Sequence, residues 1–539
     1  MSSQIHAERA ALKVFGIPEL ARLICGTIKQ SENVSLMRTC RRLFHNILPL
    51  VWERVDKANQ LVFLIPGSTR TITYDKMKHK SQVIRLPSYL DLSRFNIYAP
   101  YVKWFRPSIP YNEKYVRCES FLSCARSTEL LPNLETIHLP VKYGALYESI
   151  DTDRANWVTA FLSSSLQTLE LAYQESRPLD ERAPWMKFDM FDNLMVAASQ
   201  KCPRLRSLSI LPASVECYQI HHRTIPPVFF LPISKDHSIF LLRNLTSLLV
   251  SSAILNSEAL LALSALPSLE MLRIIGSQRE HLVYCDGLEL PAEGFPVLKH
   301  LELVPQSWTT IGNLCSVRPI VSGLHSLTIG YAPSQYKARY HSVNDIIPLL
   351  ATNTSTITRL VVRHDFGEAR LDPNVAQYWK RLPLISLHLE WTYPTIRTSS
   401  IICSIMSCLP LLEELTFNMD QRILDLRELR TIVEHLPCLR RIQAIISWDP
   451  VTELGESDFT PSRSQSNETL YLESEFHFPE PRQKNAEQLA RYLSMLRPSA
   501  AIICQSYQKQ RYCFISQGYI DLEGPKDTIN AELSRLRLR

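Results

Sequence analysis

A six-residue pattern of apolar positions recurs eleven times along the chain. Each copy has an apolar residue, two variable residues, a second apolar residue, a variable residue and a third apolar residue, as in Leu134-Glu-Thr-Ile137-His-Leu139. Several copies follow a short proline-containing phrase such as LPNL, CPRL or LPLL. The copies begin at Leu134, Leu166, Leu205, Leu245, Leu269, Leu298, Leu324, Ile357, Leu384, Leu412 and Leu439. A recurrence at this spacing predicts a repeat protein.

Each copy of the pattern predicts one short strand. Proline before the pattern disfavours a helix and favours an extended approach. In a strand, the fourth and sixth positions face one side and the third and fifth face the other. Upstream segments have helical spacing instead, as in 257–266 and 401–409. A strand and a helix per unit, stacked side by side, bury a continuous core. The pattern resembles the leucine-rich repeat family, and the expected fold class is an α/β solenoid curved like a horseshoe.

The expected domain organisation follows from where the pattern is regular. Residues 1–60 are predicted to form a helical domain, 61–130 a connecting segment with the first irregular repeats, and 131–448 the solenoid. Residues 449–470 are rich in Ser, Thr, Pro and acidic side chains, which is typical of a flexible excursion. Residues 471–539 are predicted to form the last repeat and a C-terminal cap, because the open end of a solenoid needs covering.

Three short helices are predicted between residues 15 and 52. The first should begin at Pro18, since the missing proline N–H costs nothing at a first helical position. A polar break at 29–33 separates this helix from a second one over 34–47, and 49–52 is predicted as a closing turn. Taken alone, this pattern fits a small helical cap on one end of the solenoid.

The same segment contains three phrases: Ile17-Pro18-Glu19-Leu20, Leu36-Met-Arg-Thr-Cys40-Arg-Arg-Leu-Phe44 and Leu48-Pro-Leu-Val-Trp52-Glu. These phrases resemble the F-box domain in its fungal form. The first is similar to the apolar-Pro-Glu-Leu start of that family, the second to its Leu, Cys-Arg and Phe helix, and the third to the ending common in fungal members. One departure is Asn33-Val34, where the family usually has an Asp-Leu pair.

The resemblance implies the substrate-recognition subunit of a Skp–cullin–F-box (cullin–RING) E3 ubiquitin ligase. Its N-terminal helices would bind a Skp-family adaptor and its repeats a target protein. By position, the implied adaptor contacts are Ile17, Pro18, Leu20, Leu23, Ile24, Leu36, Cys40 and Phe44. The alternative is a leucine-rich-repeat protein-binding scaffold with no ligase association, in which the helices only cap the repeats.

The net charge and the hydropathy of the chain restrict the classes of partner that we expect. The 59 Lys and Arg against 53 Asp and Glu leave a net charge of +6 on 539 residues, whereas nucleic-acid-binding domains usually carry a clustered basic face. No nucleic-acid partner is therefore expected. No apolar stretch is long enough for a secretory signal or a membrane span. We therefore expect no membrane association and a cytoplasmic or nuclear location.

No catalytic, metal or cofactor site is predicted. The chain has only 14 glycines, and it lacks the Gly-rich phosphate-binding motifs and the common catalytic phrases. Its 13 cysteines are scattered without zinc-ligand spacing, so reduced thiols filling core positions are the more usual interpretation. We expect no enzyme activity and no cofactor.

The third and fifth positions of the strands form the predicted target face. Most of their side chains are small and hydroxylated, with charges of both signs, so no polybasic groove is indicated. Larger side chains follow just past the strands, at Tyr331, His364 and Trp391. The candidate target-binding residues are Arg359, His364, His388, Trp391 and Glu414. For Arg359, His388 and Glu414 a merely solvated strand position is the alternative interpretation, and for His364 and Trp391 it is a core or rim role.

Overall fold

The computed structural model describes most of the chain. The described residues are 13–74, 80–107, 113–139, 152–171, 185–213, 232–276, 287–331, 343–364, 373–391, 404–419, 424–444, 446–448, 451, 453–462, 468–474, 482–504 and 523–537. They fall into two compact units. The first runs to Ile254 and includes Leu266–Leu269; the second comprises Leu255–Ala265 and the chain from Glu270 onward.

Parallel strands, one per repeat, form the main sheet of the first unit. In chain order, the strands are β1 (Arg54–Val55), β2 (Thr69–Tyr74), β3 (Lys80–Arg85), β4 (Trp104–Phe105), β5 (Glu113–Val116), β6 (Thr136–His138), β7 (Thr168–Glu170), β8 (Trp185–Lys187), β9 (Ser207–Ser209), β10 (Leu211–Ala213) and β11 (Ser247–Ser251). Strands β1, β4, β6, β7, β9 and β11 pair in that order, all parallel. Strand β3 pairs antiparallel with β2 and parallel with β5 in a small side sheet, and β8 pairs with β10.

The second unit continues the same architecture. Its strands are β12 (Met271–Ile275), β13 (His300–Gln306), β14 (Ser326–Tyr331), β15 (Arg359–His364), β16 (Ser386–Trp391), β17 (Glu414–Met419), β18 (Arg441–Gln443), β19 (Tyr471–Ser474) and β20 (Ala501–Cys504). Each is parallel to the next along the chain. All eleven copies of the sequence pattern are strands. The chain is thus mixed α/β with a large parallel sheet, which is consistent with a leucine-rich-repeat solenoid.

The apolar positions of the pattern form the core. In a representative repeat the first, fourth and sixth positions, Leu324, Leu327 and Ile329, are at most 2% exposed. Full burial of such a side chain contributes about 1.5–3 kcal/mol, so the recurring leucines hold the stack together.

Neighbouring repeats are also joined by a shared backbone acceptor. The N–H groups of His325 and Ser326 both donate to the Lys299 carbonyl, at 2.8 and 3.0 Å. In the next repeat, Thr358 and Arg359 both donate to the His325 carbonyl at 3.0 Å. The same double contact recurs in repeats of both units, and it places each strand in register with the one before it.

Helices connect the strands. They are α1 (Pro18–Thr27), α2 (Gln30–Met37), α3 (Arg41–Trp52), α4 (Ala58–Val62), α5 (Phe95–Tyr98), α6 (Glu119–Ser127), α7 (Thr152–Ala160), α8 (Phe188–Lys201), α9 (Ser257–Ser264), α10 (Trp308–Ser316), α11 (Arg318–Val321), α12 (Val343–Asn353), α13 (Ala376–Trp379), α14 (Leu426–His435), α15 (Arg482–Leu496) and α16 (Glu523–Arg537). In the predicted helix at 401–409, residues 404–406 are helical and 401–403 lie outside the described residues.

Two helix predictions at the N-terminus are wrong. The segment 34–47 is not one helix, because Cys40 is extended (φ −158°, ψ 159°) and its Sγ accepts the Leu43 N–H as the N-cap of α3. The expected turn at 49–52 is the last turn of α3. A proline inside a helix costs about 3 kcal/mol, and the burial of Leu48 and Val51 around Pro49 offsets that cost.

Part of the segment 449–470, which was predicted to be flexible, is held by contacts with α14 and α15. Residues Glu456–Phe459 form a 3₁₀ turn. The Arg430 guanidinium donates to the carbonyls of Asp458 and Thr460 at 2.8 and 2.9 Å, and Arg491 stacks over the Phe459 ring. Residues 463–467 of this segment lie outside the described residues.

Candidate functional site

Helices α1–α3 pack around a small core of their own. Its buried members are Cys25, Met37, Leu43, Ile47, Leu48 and Val51. Two asparagines tie the segments together: Asn33 Nδ2 donates to the Cys25 carbonyl at 2.9 Å, and Asn46 Nδ2 donates to the Phe15 carbonyl at 2.8 Å. The helices therefore form a defined structural element.

Helix α1 has two apolar sides. Ala21 and Cys25 are at most 5% exposed and face the core. On the other side, the side chains of Ile17, Leu20 and Leu23 are 46%, 37% and 69% exposed. We call these three residues the outer α1 face. Leu20 and Leu23 are three apart within the helix and lie on the same side of it, and Ile17 is the extended N-cap residue just before its first turn.

The other implied adaptor contacts lie elsewhere. Leu36 and Phe44 are half-buried and pack against the helical core, and Ile24 is half-buried. Cys40 is exposed and serves as the N-cap of α3. Helix α1 begins at Pro18 as predicted, but the Pro18 side chain lies outside the described residues. The structure thus brings only three of the eight together as an exposed apolar surface.

Asn33 has a role that the sequence did not reveal. It stands where the F-box pattern usually has Asp, and it is only 7% exposed. Its amide donates to a carbonyl at the end of α1, where helical carbonyls lack partners within the helix. A hydropathy pattern gives no signal for a buried amide that joins two helices.

The candidate target-binding residues lie on three adjacent strands. Arg359, Ser386 and Glu414 are register partners on β15, β16 and β17, and Ser386 Oγ donates to Glu414 Oε2 at 3.1 Å. Arg359 and Glu414 are exposed. His388 is half-buried and lies in the next row of the same sheet face.

His364 and Trp391 occupy a different place in the strands. They are register partners at the ends of β15 and β16. Their positions have the alternate parity to Arg359 and His388, the parity of the buried Leu360. Their side chains lie outside the described residues. Arg359, His388 and Glu414 therefore share one parity along their strands, and His364 and Trp391 have the other.

A buried charge cluster on the same sheet face was missed. Arg273 Nη2 lies 3.2 Å from Glu302 Oε1, and Arg363 Nη1 lies 3.7 Å from the same oxygen. Arg273 is only 7% exposed. Burial lowers the pKa of the Arg273 guanidinium, Glu302 opposes that shift and Arg363 adds to it. Arg363 is the seventh residue counted from the start of its repeat. It lies outside the six-residue pattern, so that pattern does not predict its place on the sheet face.

The described residues include neither a metal-binding cluster nor a helix suited to span a membrane. Among the residues that the structure describes, no group of three or more His, Cys, Asp or Glu side chains is placed to hold a metal ion. Within the same part of the chain, no helix combines the length and apolar character needed to cross a bilayer.

Comparison with known proteins does not assign a family. No family model matches the sequence, and no curated protein matches it. Among solved structures, the chain is similar to one in the crystal structure of the TLR13-ssRNA13 complex, with 12% identity and a TM-score of 0.33. The match covers 67% of this chain and 45% of the chain in that complex. This chain therefore spans less than half the length of the protein that it matches. We draw no functional conclusion from a likeness this distant.

Proposed function

We propose that this protein is the substrate-recognition subunit of a Skp–cullin–F-box (cullin–RING) E3 ubiquitin ligase. Helices α1–α3 would bind a Skp-family adaptor, and the strand face would bind a target protein that is still to be identified. The chain itself would catalyse no reaction. The observation that carries the proposal is the outer α1 face, which is apolar and exposed on an otherwise packed helical element.

The energetics of the outer α1 face favour a partner. Single exposed apolar side chains are normal on protein surfaces, but Leu20 and Leu23 lie on one side of α1 and Ile17 stands at its N-cap. An apolar helix side of this kind fits the groove of another protein. Full burial of a large aliphatic side chain contributes about 1.5–3 kcal/mol. Covering the exposed parts of three such side chains would supply a useful fraction of a binding free energy.

One observation favours the alternative, a repeat scaffold without a ligase. The Trp52 ring of α3 contacts the Tyr98 ring with centroids 4.7 Å apart, and Tyr101 packs against the same helical core. The helices therefore also cover the segment that leads into β4. A cap needs that contact, but it does not need three exposed apolar residues on its far side.

The test is a binding assay between purified Skp-family adaptor and the full chain. The variant is Leu20→Asp with Leu23→Asp, because both side chains are exposed and the change leaves the helical core intact. A carboxylate buried in an apolar contact costs several kcal/mol, so we expect binding to be lost. Phe44 is not used, since it packs in the core and its replacement by Asp would unfold the helices.

The matched control is Val196→Asp with Leu241→Asp. These residues are 44% and 65% exposed in the same unit and add the same two charges away from α1. We expect the control to bind like the wild-type chain, and circular dichroism should be unchanged for both variants. If the wild-type chain does not bind the adaptor, or if both double variants bind it equally well, the scaffold alternative replaces this proposal.

A further inference from the structure

A cleft of about 670 Å³ lies between α2, α3 and the segments that follow them. Its floor is apolar and aromatic, with buried Met37, Val51, Val55 and Leu64 at the bottom. Phe44, Trp52, Phe63 and Tyr98 contribute aromatic rings to the same lining. A volume of this size lies within the range of small-molecule sites.

The rim of the cleft is polar and positively charged. The polar lining residues are Ser31, Arg38, Arg54, Gln60 and Arg94. All three arginines and Ser31 are exposed, whereas Gln60 is half-buried. No Asp or Glu belongs to the lining, so the charges around the mouth have one sign.

The three arginines are not equivalent. Arg54 is already engaged, with Nε 3.3 Å from Asp56 Oδ1 and its guanidinium stacked 3.8 Å from the centre of the Trp104 ring. Arg38 and Arg94 form no ion pair with any residue that the structure describes. Two guanidinium groups at the rim are therefore available to an anion.

We propose that this cleft binds an amphipathic organic anion, an apolar body that carries one carboxylate or phosphate head group. The apolar body lies over the floor near Trp52 and Tyr98, and the head group meets Arg38 and Arg94. A guanidinium matches both head groups because its planar fork donates two parallel hydrogen bonds. The proposal goes beyond the adaptor role and does not depend on it.

Trp52 allows a direct test, because a bromine atom quenches the fluorescence of a tryptophan that it contacts. The full chain is titrated with ω-bromododecanoate below the concentration at which it forms micelles. We expect saturable quenching, and most of it should disappear in Trp52→Phe. Dodecyl phosphate should reverse the quenching, whereas dodecanol and acetate, which lack the head or the body, should not. Quenching that does not saturate, or that is unchanged in Trp52→Phe, overturns the proposal.

The head-group contacts are tested by Arg38→Gln with Arg94→Gln. We expect this variant to bind the brominated acid at least about tenfold more weakly, since the loss of even one charge-assisted contact of roughly 1.4 kcal/mol weakens binding tenfold. The matched control is Arg22→Gln with Arg42→Gln, two exposed arginines of the same helical element outside the lining. Equal affinity in the two double variants overturns the assignment of Arg38 and Arg94. Because no adaptor is present, the outcome is independent of the adaptor-binding test.

Discussion

The side-chain amide of Asn530 makes two hydrogen bonds with the backbone of Ile502. Asn530 Nδ2 donates to the Ile502 carbonyl at 2.8 Å, and Asn530 Oδ1 accepts the Ile502 N–H at 2.9 Å. Ile502 lies in β20, the last strand that the structure describes, and Asn530 lies in α16. One amide group thus satisfies a residue of the edge strand in the way that a neighbouring strand would. Unpaired edge strands invite association.

We expect Asn530→Leu to expose this edge. Each backbone group left without a partner costs about 1–3 kcal/mol when it is buried, so the Ile502 amide should exchange its hydrogen with solvent at least tenfold faster. Asn530→Asp keeps the acceptor and loses the donor, and its effect should be intermediate. Hydrogen exchange followed by mass spectrometry measures both. Asp527→Asn, an exposed change in the same helix, should leave the exchange rate unaltered; equal rates in all three variants would contradict the assignment.

Arg497, the residue that directly follows α15, joins the end of that helix to the segment that leads into β18. Its side chain is fully buried and donates to the carbonyls of Leu439, Pro437 and Leu436 at 2.5, 3.2 and 3.4 Å. Burial lowers the pKa of its guanidinium. We expect Arg497→Met to lower the local unfolding free energy by about 2–3 kcal/mol, since buried carbonyls lose their donors.

Native-state hydrogen exchange in residues 436–444 measures this loss. Lys484→Met is the control, because Lys484 is an exposed residue of α15 and such changes stay within about 0.5 kcal/mol. Unchanged protection in Arg497→Met would show that the three contacts contribute nothing.

Gly330 is required by the packing of Val304. A Cβ atom at position 330 would lie 2.8 Å from Val304 Cγ1 and 3.0 Å from Cγ2, and Val304 is only 2% exposed. We expect Gly330→Ala to cost about 1–3 kcal/mol through overpacking. Val304→Ala in the same chain should recover part of that loss, so the two effects should not add. Urea unfolding of the two single variants and the double variant measures the coupling, and strict additivity would refute the clash.

Cysteine reactivity should divide sharply between two classes. Burial raises the pKa of Cys202 and of Cys315 to about 12, whereas Cys40 and Cys438 are exposed. At pH 8 only roughly one in ten thousand of the buried thiols would be a thiolate, the reactive form. Iodoacetamide should therefore label Cys40 and Cys438 in the native chain and should label Cys202 and Cys315 only after unfolding. Peptide mapping reads out each site, and early labelling of Cys315 would contradict its burial.

The sequence predicted the repeats because their signal is local and redundant. An apolar residue at the first, fourth and sixth positions is buried in every repeat, as Leu324, Leu327 and Ile329 show. The side sheet had no such signal. Every residue of β2 is exposed, so this strand lacks the buried apolar positions by which the repeats were identified.

Other features depend on contacts between distant segments. Cys40 divides two helices by adopting an extended backbone, and cysteine is not among the residues that usually mark an N-cap. The pairing of Arg273 with Glu302 and Arg363 joins three different repeats. Of the implied adaptor contacts, the sequence pattern could not separate Leu20, which is exposed, from Phe44, which packs inward, because both fit an amphipathic helix.

The shared backbone acceptor between repeats has an evolutionary consequence. Lys299 and His325 each present one carbonyl to two N–H groups of the following repeat. These two contacts join backbone atoms only, although the Thr358 hydroxyl also donates to the His325 carbonyl at 3.2 Å. A duplication or deletion of one whole repeat would therefore recreate the same junction, whatever sequence the new neighbour carries. The side chains of the strand face can then diverge to fit a new protein without any change in the backbone hydrogen bonds that connect the repeats. Gene families built in this way would vary in repeat number and surface chemistry while every junction keeps the shared backbone acceptor.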